Sequence, residues 1–199
     1  MLCTLARKLA EGNAVQFKWI ARVKKIFDDC GFSYIWQSGI ISNSNWLKGA
    51  IKQRLIDQFV QKWNSTVNDS PKALNYRIIK TEFKFEDYLN ILDVTNAKIL
   101  CKFRTTNHYL PIETGRWRSI ARECRYCHLC NQNKLGDEYH FIFECITLKE
   151  QRSKYIQNYY VKHHNTFKFQ KLMSCKRQSV LKNLCRLIKQ INSSVLTPG

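Results

Sequence analysis

The chain has 199 residues, 44% of them apolar and 13% aromatic, which is enough to bury a sizeable core and too apolar for a disordered tail. Lys and Arg number 33 against 15 Asp and Glu, and the net charge of +18 points to a polyanionic partner, nucleic acid before an anionic membrane. With only 7 Gly and 3 Pro, a turn-rich β-sandwich is disfavoured and helices are favoured.

No apolar run approaches the about 20 residues of a membrane span. The start, MLCTLARKLAEG, lacks the apolar stretch of a secretory signal. Nuclear or cytoplasmic residence is therefore expected rather than secretion, with a transit peptide as the alternative.

In chain order, Val15, Trp19, Ile20, Val23, Ile26 and Phe27 fall at helical spacing over 14–29, and Gly31 is placed to stop that helix. Residues 32–45 read as a loop ending in N-cap candidates. Leu47, Ile51, Leu55, Ile56, Phe59, Val60 and Trp63 then form one stripe, expected to be core. Ser70-Pro71 has the form of a cap followed by an N1 proline, opening a helix with Leu74, Ile78 and Ile79. Short helices are expected over 82–92 and 95–107. Thr147 to Glu150 has the capping-box pattern, which predicts a helix from about Leu148 to Lys162. Val180, Leu181, Leu184, Cys185, Leu187, Ile188 and Ile191 form the apolar stripe of a last helix. The expected fold is mostly α, with a small metal-pinned knuckle. The expected organisation is a helical region over 1–99, a basic segment plus knuckle over 100–150, and basic C-terminal helices over 151–199.

The charge is uneven along the chain. Residues 151–199 carry 10 basic side chains and no carboxylate, a sustained positive face suited to a phosphate backbone.

Of the nine cysteines, 3, 30, 101, 175 and 185 stand alone, and Cys124, Cys127, Cys130 and Cys145 lie within 22 residues. The odd count without an export signal reads as a reducing compartment, where isolated cysteines behave as small buried hydrophobes. The cluster reads C-x2-C-x9-H-x4-C through Cys127, Cys130, His140 and Cys145. Two cysteines two residues apart share one tight knuckle, and a His and a Cys return from a second element to close a tetrahedron around one structural Zn2+. Four protein ligands leave no position for a substrate. Gly136 is expected to reverse the chain between the halves, Asp137 to cap a short helix carrying His140, and Glu138 or Glu144 to orient a ring nitrogen. Cys124 and His128 are spare ligand candidates, and three alternatives stay open: Cys124 in place of Cys127, a set of reduced core thiols, and a disulfide scaffold.

Before the knuckle, Arg116, Arg118, Arg122 and Arg125 alternate with Trp117 and Tyr126. Arginine forks grip phosphates and exposed rings stack on bases. The arginines are expected to meet nucleic acid and Trp117 to pack beneath the knuckle; the competing reading leaves the arginines merely solvated. Arg104, Lys154, Lys176 and Arg177 extend the candidate interface.

The stretch Cys127–Cys145 with the following Arg152, preceded by LCKFRTTNHYLPIETGRWR (100–118), resembles the zinc-binding region at the carboxy end of reverse-transcriptase polyproteins from non-LTR (LINE-type) retrotransposons. WLKGAIKQRLIDQFVQKWNS (46–65) and SPKALNYRIIKTEFKFEDYLNIL (70–92) are similar to the helical segment before that finger. The resemblance implies a non-catalytic nucleic-acid-binding module that helps hold template RNA or target DNA beside the upstream polymerase domain. It implies zinc ligation by Cys127, Cys130, His140 and Cys145. The sequence departs from the whole family protein in lacking the paired aspartates of a polymerase palm: Asp28-Asp29 sits at a helix end, and Glu86-Asp87 lacks a strand–turn–strand setting. A two-metal nuclease cannot be assembled from the 49 residues past Glu150, which hold no Asp or Glu. No catalytic residue and no small-molecule substrate are expected. A Cys–His nucleophile drawn from Cys175 with His163 or His164 has no supporting motif. The competing function is a protein-interaction scaffold, with Leu181, Leu184, Ile188 and Ile191 covering a partner and zinc purely structural.

Overall fold

A computed structural model describes residues 18–196, and within them the chain is mostly helical with no β-strand. Residues 14–17 of the first expected helix, and Cys3, lie outside the described residues. None of the helices described is long and apolar enough to cross a membrane.

The described residues up to Ser65 form one compact unit and those from Thr66 onward a second. In the first, helix α1 (Lys18–Asp29) stops where Gly31 adopts a φ of 77°, a left-handed conformation that glycine takes without steric cost. The expected loop after it contains a helix instead, α2 (Ser33–Ser38), because Ile35 and Trp36 turn inward to meet Ile20 and Phe27. Phe27 and Trp36 have ring centroids 5.8 Å apart. Asn43 caps α3 (Ser44–Asp69), its Oδ1 accepting from the Trp46 N–H at 2.9 Å.

The expected core stripe of α3 is corrected. Leu47 is buried and Ile51 packs against the same cluster, but Leu55, Ile56 and Phe59 are exposed. A helix of 26 residues is about 39 Å long, and the small cluster of Ile20, Phe27, Ile35 and Trp36 meets only its first turns.

The second unit carries the larger core and the Cys127, Cys130, His140 and Cys145 cluster. Ser70 precedes a 3₁₀ turn, Pro71–Ala73, with the proline at its expected place but no bond from the serine side chain. It leads into α4 (Leu74–Ile79). Helix α5 is a single turn, Tyr88–Ile91, shorter than expected. Asp93 then caps α6 (Val94–Arg104), its Oδ1 accepting from the Asn96 N–H at 3.0 Å. Helix α7 (Pro111–Trp117) opens on a proline at N1 and leads to the knuckle.

Past the knuckle the expected continuous helix is broken into α8 (Lys149–Tyr155) and α9 (Asn158–Val161). Thr147 does not cap; its hydroxyl donates to the Leu129 carbonyl at 2.5 Å. The break falls at Ile156, whose extended backbone turns its side chain into the core. Asn165 caps α10 (Thr166–Met173), and α11 (Gln178–Leu196) closes the unit. The stripe of α11, from Val180 through Ile191, is buried with Leu100, Phe103, Phe141, Ile142 and Leu172.

Candidate metal centre

The knuckle is a tight hairpin held by backbone bonds rather than by strands. The Cys127 N–H donates to Lys134 O and the Gly136 N–H to Arg125 O, both at 2.8 Å, around a single antiparallel bridge between Tyr126 and Leu135. Asn133, with φ 50°, takes the left-handed position of the turn. The role expected of Gly136 is corrected accordingly. Its φ is not positive; a Cβ there would come 2.8 Å from the Pro111 ring and 3.1 Å from the Cys127 nitrogen. Close approach of the Pro111 ring and of the Cys127 backbone requires this glycine.

Asp137 caps the returning element as expected, its Oδ1 accepting from the His140 N–H at 2.9 Å. That element then opens into one turn of π-helix, His140–Glu144, closed by the Cys145 N–H donating to His140 O at 2.8 Å. Such a widened turn is common at functional sites. It swings Phe141, Ile142 and Phe143 into the core while His140 and Cys145 face the knuckle.

The four expected side chains are brought together. Ligand atoms of Cys127, Cys130, His140 and Cys145 all lie within 4.8 Å of one another, and all four residues are buried. Cys127 Sγ is 3.9 Å from Cys145 Sγ, and Cys130 Sγ is 3.4 Å from His140 Nε2. A tetrahedron with arms of about 2.3 Å to sulfur and 2.0 Å to nitrogen has edges of about 3.5–3.8 Å, so the donors fit one structural metal ion. The sulfurs are far beyond the about 2.05 Å of a disulfide. Cys124 and His128 are exposed and stand outside the cluster.

The electrostatics favour a cation. The hydrogen bond from Cys127 drives Cys145 down to about 4, with burial opposing and His140 adding to it; the same bond, with burial, drives Cys127 up. Burial opposes a charged His140, yet contacts with Cys145 and Glu144 hold its pKa above the ordinary value.

Glu144 takes the orienting role, its Oε2 lying 3.3 Å from His140 Nδ1. Glu138 does not. Its Oε1 is 2.8 Å from His108 Nε2 and its Oε2 accepts from Asn75 Nδ2 at 2.6 Å. The Leu110 N–H donates to His108 Nδ1, which makes Nε2 the protonated nitrogen facing Glu138. Sequence reasoning missed this network, and it underestimated Arg152. That buried guanidinium donates to Ile142 O at 2.8 Å and Cys145 O at 2.7 Å, clamping the π turn. Its position seven residues past the last cysteine is the only trace of this in the sequence.

The expected nucleic-acid contacts are distributed unequally. Arg104 is corrected: it is buried, donates to Met173 O at 2.6 Å and Glu86 Oε2 at 2.7 Å, and lies over the Tyr88 ring. It holds the core and offers nothing to a phosphate. Arg116 forks onto the buried Glu113, Nε at 3.0 Å and NH2 at 2.5 Å. Arg125 lies over Gly115 and donates to Ile120 O and Ile112 O. Arg118 is exposed, Arg122 half-buried, and Lys154 and Arg177 exposed; Lys176 is exposed beside Asp87 at 2.9 Å.

Trp117 is also corrected. It is 52% exposed, set edge-on against the exposed Tyr109, with its indole N–H donated to Glu113 at 3.0 Å. Cys175 Sγ accepts from the Tyr160 hydroxyl at 3.9 Å and the Arg177 N–H at 3.4 Å, while His164 pairs with Tyr139 and stacks on Phe143.

No family model, curated protein or solved structure matches this chain.

Proposed function

We propose that the chain is a non-catalytic, zinc-stabilised nucleic-acid-binding module, akin to the carboxy-terminal zinc-binding region of non-LTR retrotransposon reverse transcriptases. The observation that carries the reading is the closed set of three thiols and one imidazole, whose ligand atoms lie within 4.8 Å of one another. Three sulfurs and one nitrogen in a tetrahedron select zinc among common divalent ions, and four protein ligands make the ion structural. When bound, the ion supplies fold energy on the order of 10 kcal/mol.

The nucleic-acid part is supported by the charge of +18, the carboxylate-free last quarter, and the exposure of Tyr109, Trp117 and Tyr126 in the same stretch of sequence as Arg118 and Arg122. An upstream polymerase domain as partner is part of the same reading. The interaction-scaffold alternative loses its main support, because Leu181, Leu184, Ile188 and Ile191 are buried within their own unit.

The test has two arms. Elemental analysis should give one zinc per chain, falling to a trace in Cys130→Ser and unchanged in Cys124→Ser. Affinity for RNA or DNA should fall steeply with salt, log K against log salt having a slope of several phosphates. Arg118→Ala with Arg122→Ala should keep the zinc and weaken binding. A chain that folds fully in a chelator, or a flat salt response, refutes the corresponding arm.

A further inference from the structure

We propose that the cleft between the 80–87 loop and helices α9 and α10 seats a single-stranded segment of nucleic acid, whose bases stack on Tyr159 and Phe167 and whose phosphates meet Lys171 and Arg177. This rests on the nucleic-acid reading above and adds where the strand lies and why it is single.

The cleft has a volume of about 800 Å³ and lies wholly within the second unit. Three large rings on its walls are turned outward: Phe85 is 64% exposed, Tyr159 50% and Phe167 62%. They come from three separate elements, so their exposure is not the by-product of one frayed helix. Rings left open around one groove suit the flat faces of unpaired bases, which stack on aromatics with little regard to sequence. Duplex bases are stacked on one another and offer no face to such a ring.

The cations are placed to match. Lys171 Nζ lies 4.9 Å from the Tyr159 ring centroid and 5.9 Å from that of Phe167, and it donates to the Tyr159 hydroxyl at 3.0 Å. A positive charge thus sits between two stacking surfaces, where a phosphate linking two stacked bases would come. Six cations line the cleft against three carboxylates. The carboxylates are already engaged: Glu86 by Lys80 and Arg104, Glu82 by Lys84, and Asp87 by Lys176. Among the described residues, Lys171 and Arg177 have no carboxylate partner, so the lining keeps a net positive charge, with Lys171 beside Tyr159 and Phe167.

The experiment uses the full zinc-loaded chain and a fluorescent 15-nucleotide oligo-dT, with a blunt hairpin duplex of the same charge as competitor. Tyr159→Ala and Phe167→Ala should each weaken oligo-dT binding at least about 5-fold. Lys171→Gln with Arg177→Gln should lower the slope of log K against log salt by about 1.4. All four substitutions are at solvent-facing groups, and zinc content and melting temperature should match the unaltered chain. A strand bearing 4-thiouracil should cross-link to peptides holding Tyr159 or Phe167. If the unaltered chain binds no nucleic acid, the functional reading falls and this inference with it. If binding survives the cleft substitutions but is lost in Arg118→Ala with Arg122→Ala, the functional reading stands and the cleft assignment alone is overturned. Equal binding of duplex and oligo-dT, or binding only to phosphatidylserine vesicles, overturns it as well.

Discussion

Arg152 shows how one side chain holds the candidate metal centre from behind. Its two bonds reach the carbonyl of Ile142, left over by the π turn, and that of Cys145, which also accepts the Leu148 N–H at 3.2 Å. Arg152→Met keeps the bulk but leaves the Ile142 carbonyl without its donor and Cys145 O with the Leu148 N–H alone. The expected loss is about 1–3 kcal/mol of unfolding free energy, read by urea titration, together with weaker retention of an added divalent metal ion against a chelator. Lys at this position should rescue only part, since one ammonium cannot reproduce the planar fork. The ligand residues were legible because their chemistry is written in the residue types and in the spacing C-x2-C-x9-H-x4-C. Arg152 as a clamp was not legible, because nothing in the sequence reveals which carbonyls a turn will orphan.

At the scale of the element, α7 is tied by one buried carboxylate. Glu113 is met by Arg116, the Trp117 indole and, at 3.4 Å, Lys72. Burial pushes its pKa up, but the Arg116 bond and the Lys72 and Arg116 charges bring it below the ordinary value. A carboxylate depressed in the folded state contributes stability that is present above its unfolded value of about 4.3 and is lost as pH falls through the folded value. Melting measured from pH 6 down to pH 3 should therefore show a falling limb, less steep in Glu113→Gln, which should also be less stable at neutral pH.

Elements were legible where the apolar period was sustained, as in the stripe from Val180 through Ile191 of α11. They were not legible where tertiary burial overrode local pattern. The sequence SYIWQS has no sustained period, yet α2 forms because Ile35 and Trp36 have a cluster to enter. The Thr147–Glu150 pattern promised a cap, yet Thr147 is drawn to Leu129 of the knuckle, and burial of Ile156 ends the helix early.

Across the whole molecule the excess of 18 positive charges acts as a single field. Association with nucleic acid should be fast at low salt and slow markedly between about 50 and 200 mM; stopped-flow mixing at the two salt concentrations checks this. Composition made that field legible, together with the mostly helical class. Which cations are available was not legible, since Arg104 and Arg116 spend their charge on Glu86 and Glu113.

The contact between Gly136 and the Pro111 ring links the turn of the knuckle to the first residue of α7. Gly136→Ala should cost about 1–3 kcal/mol by overpacking, and Pro111→Ala made with it should recover part of that loss in a double-mutant cycle. Over evolutionary time the two positions are not free to drift separately: a lineage that enlarges one should shrink the other, and a library randomised at both should return pairs of roughly constant summed volume.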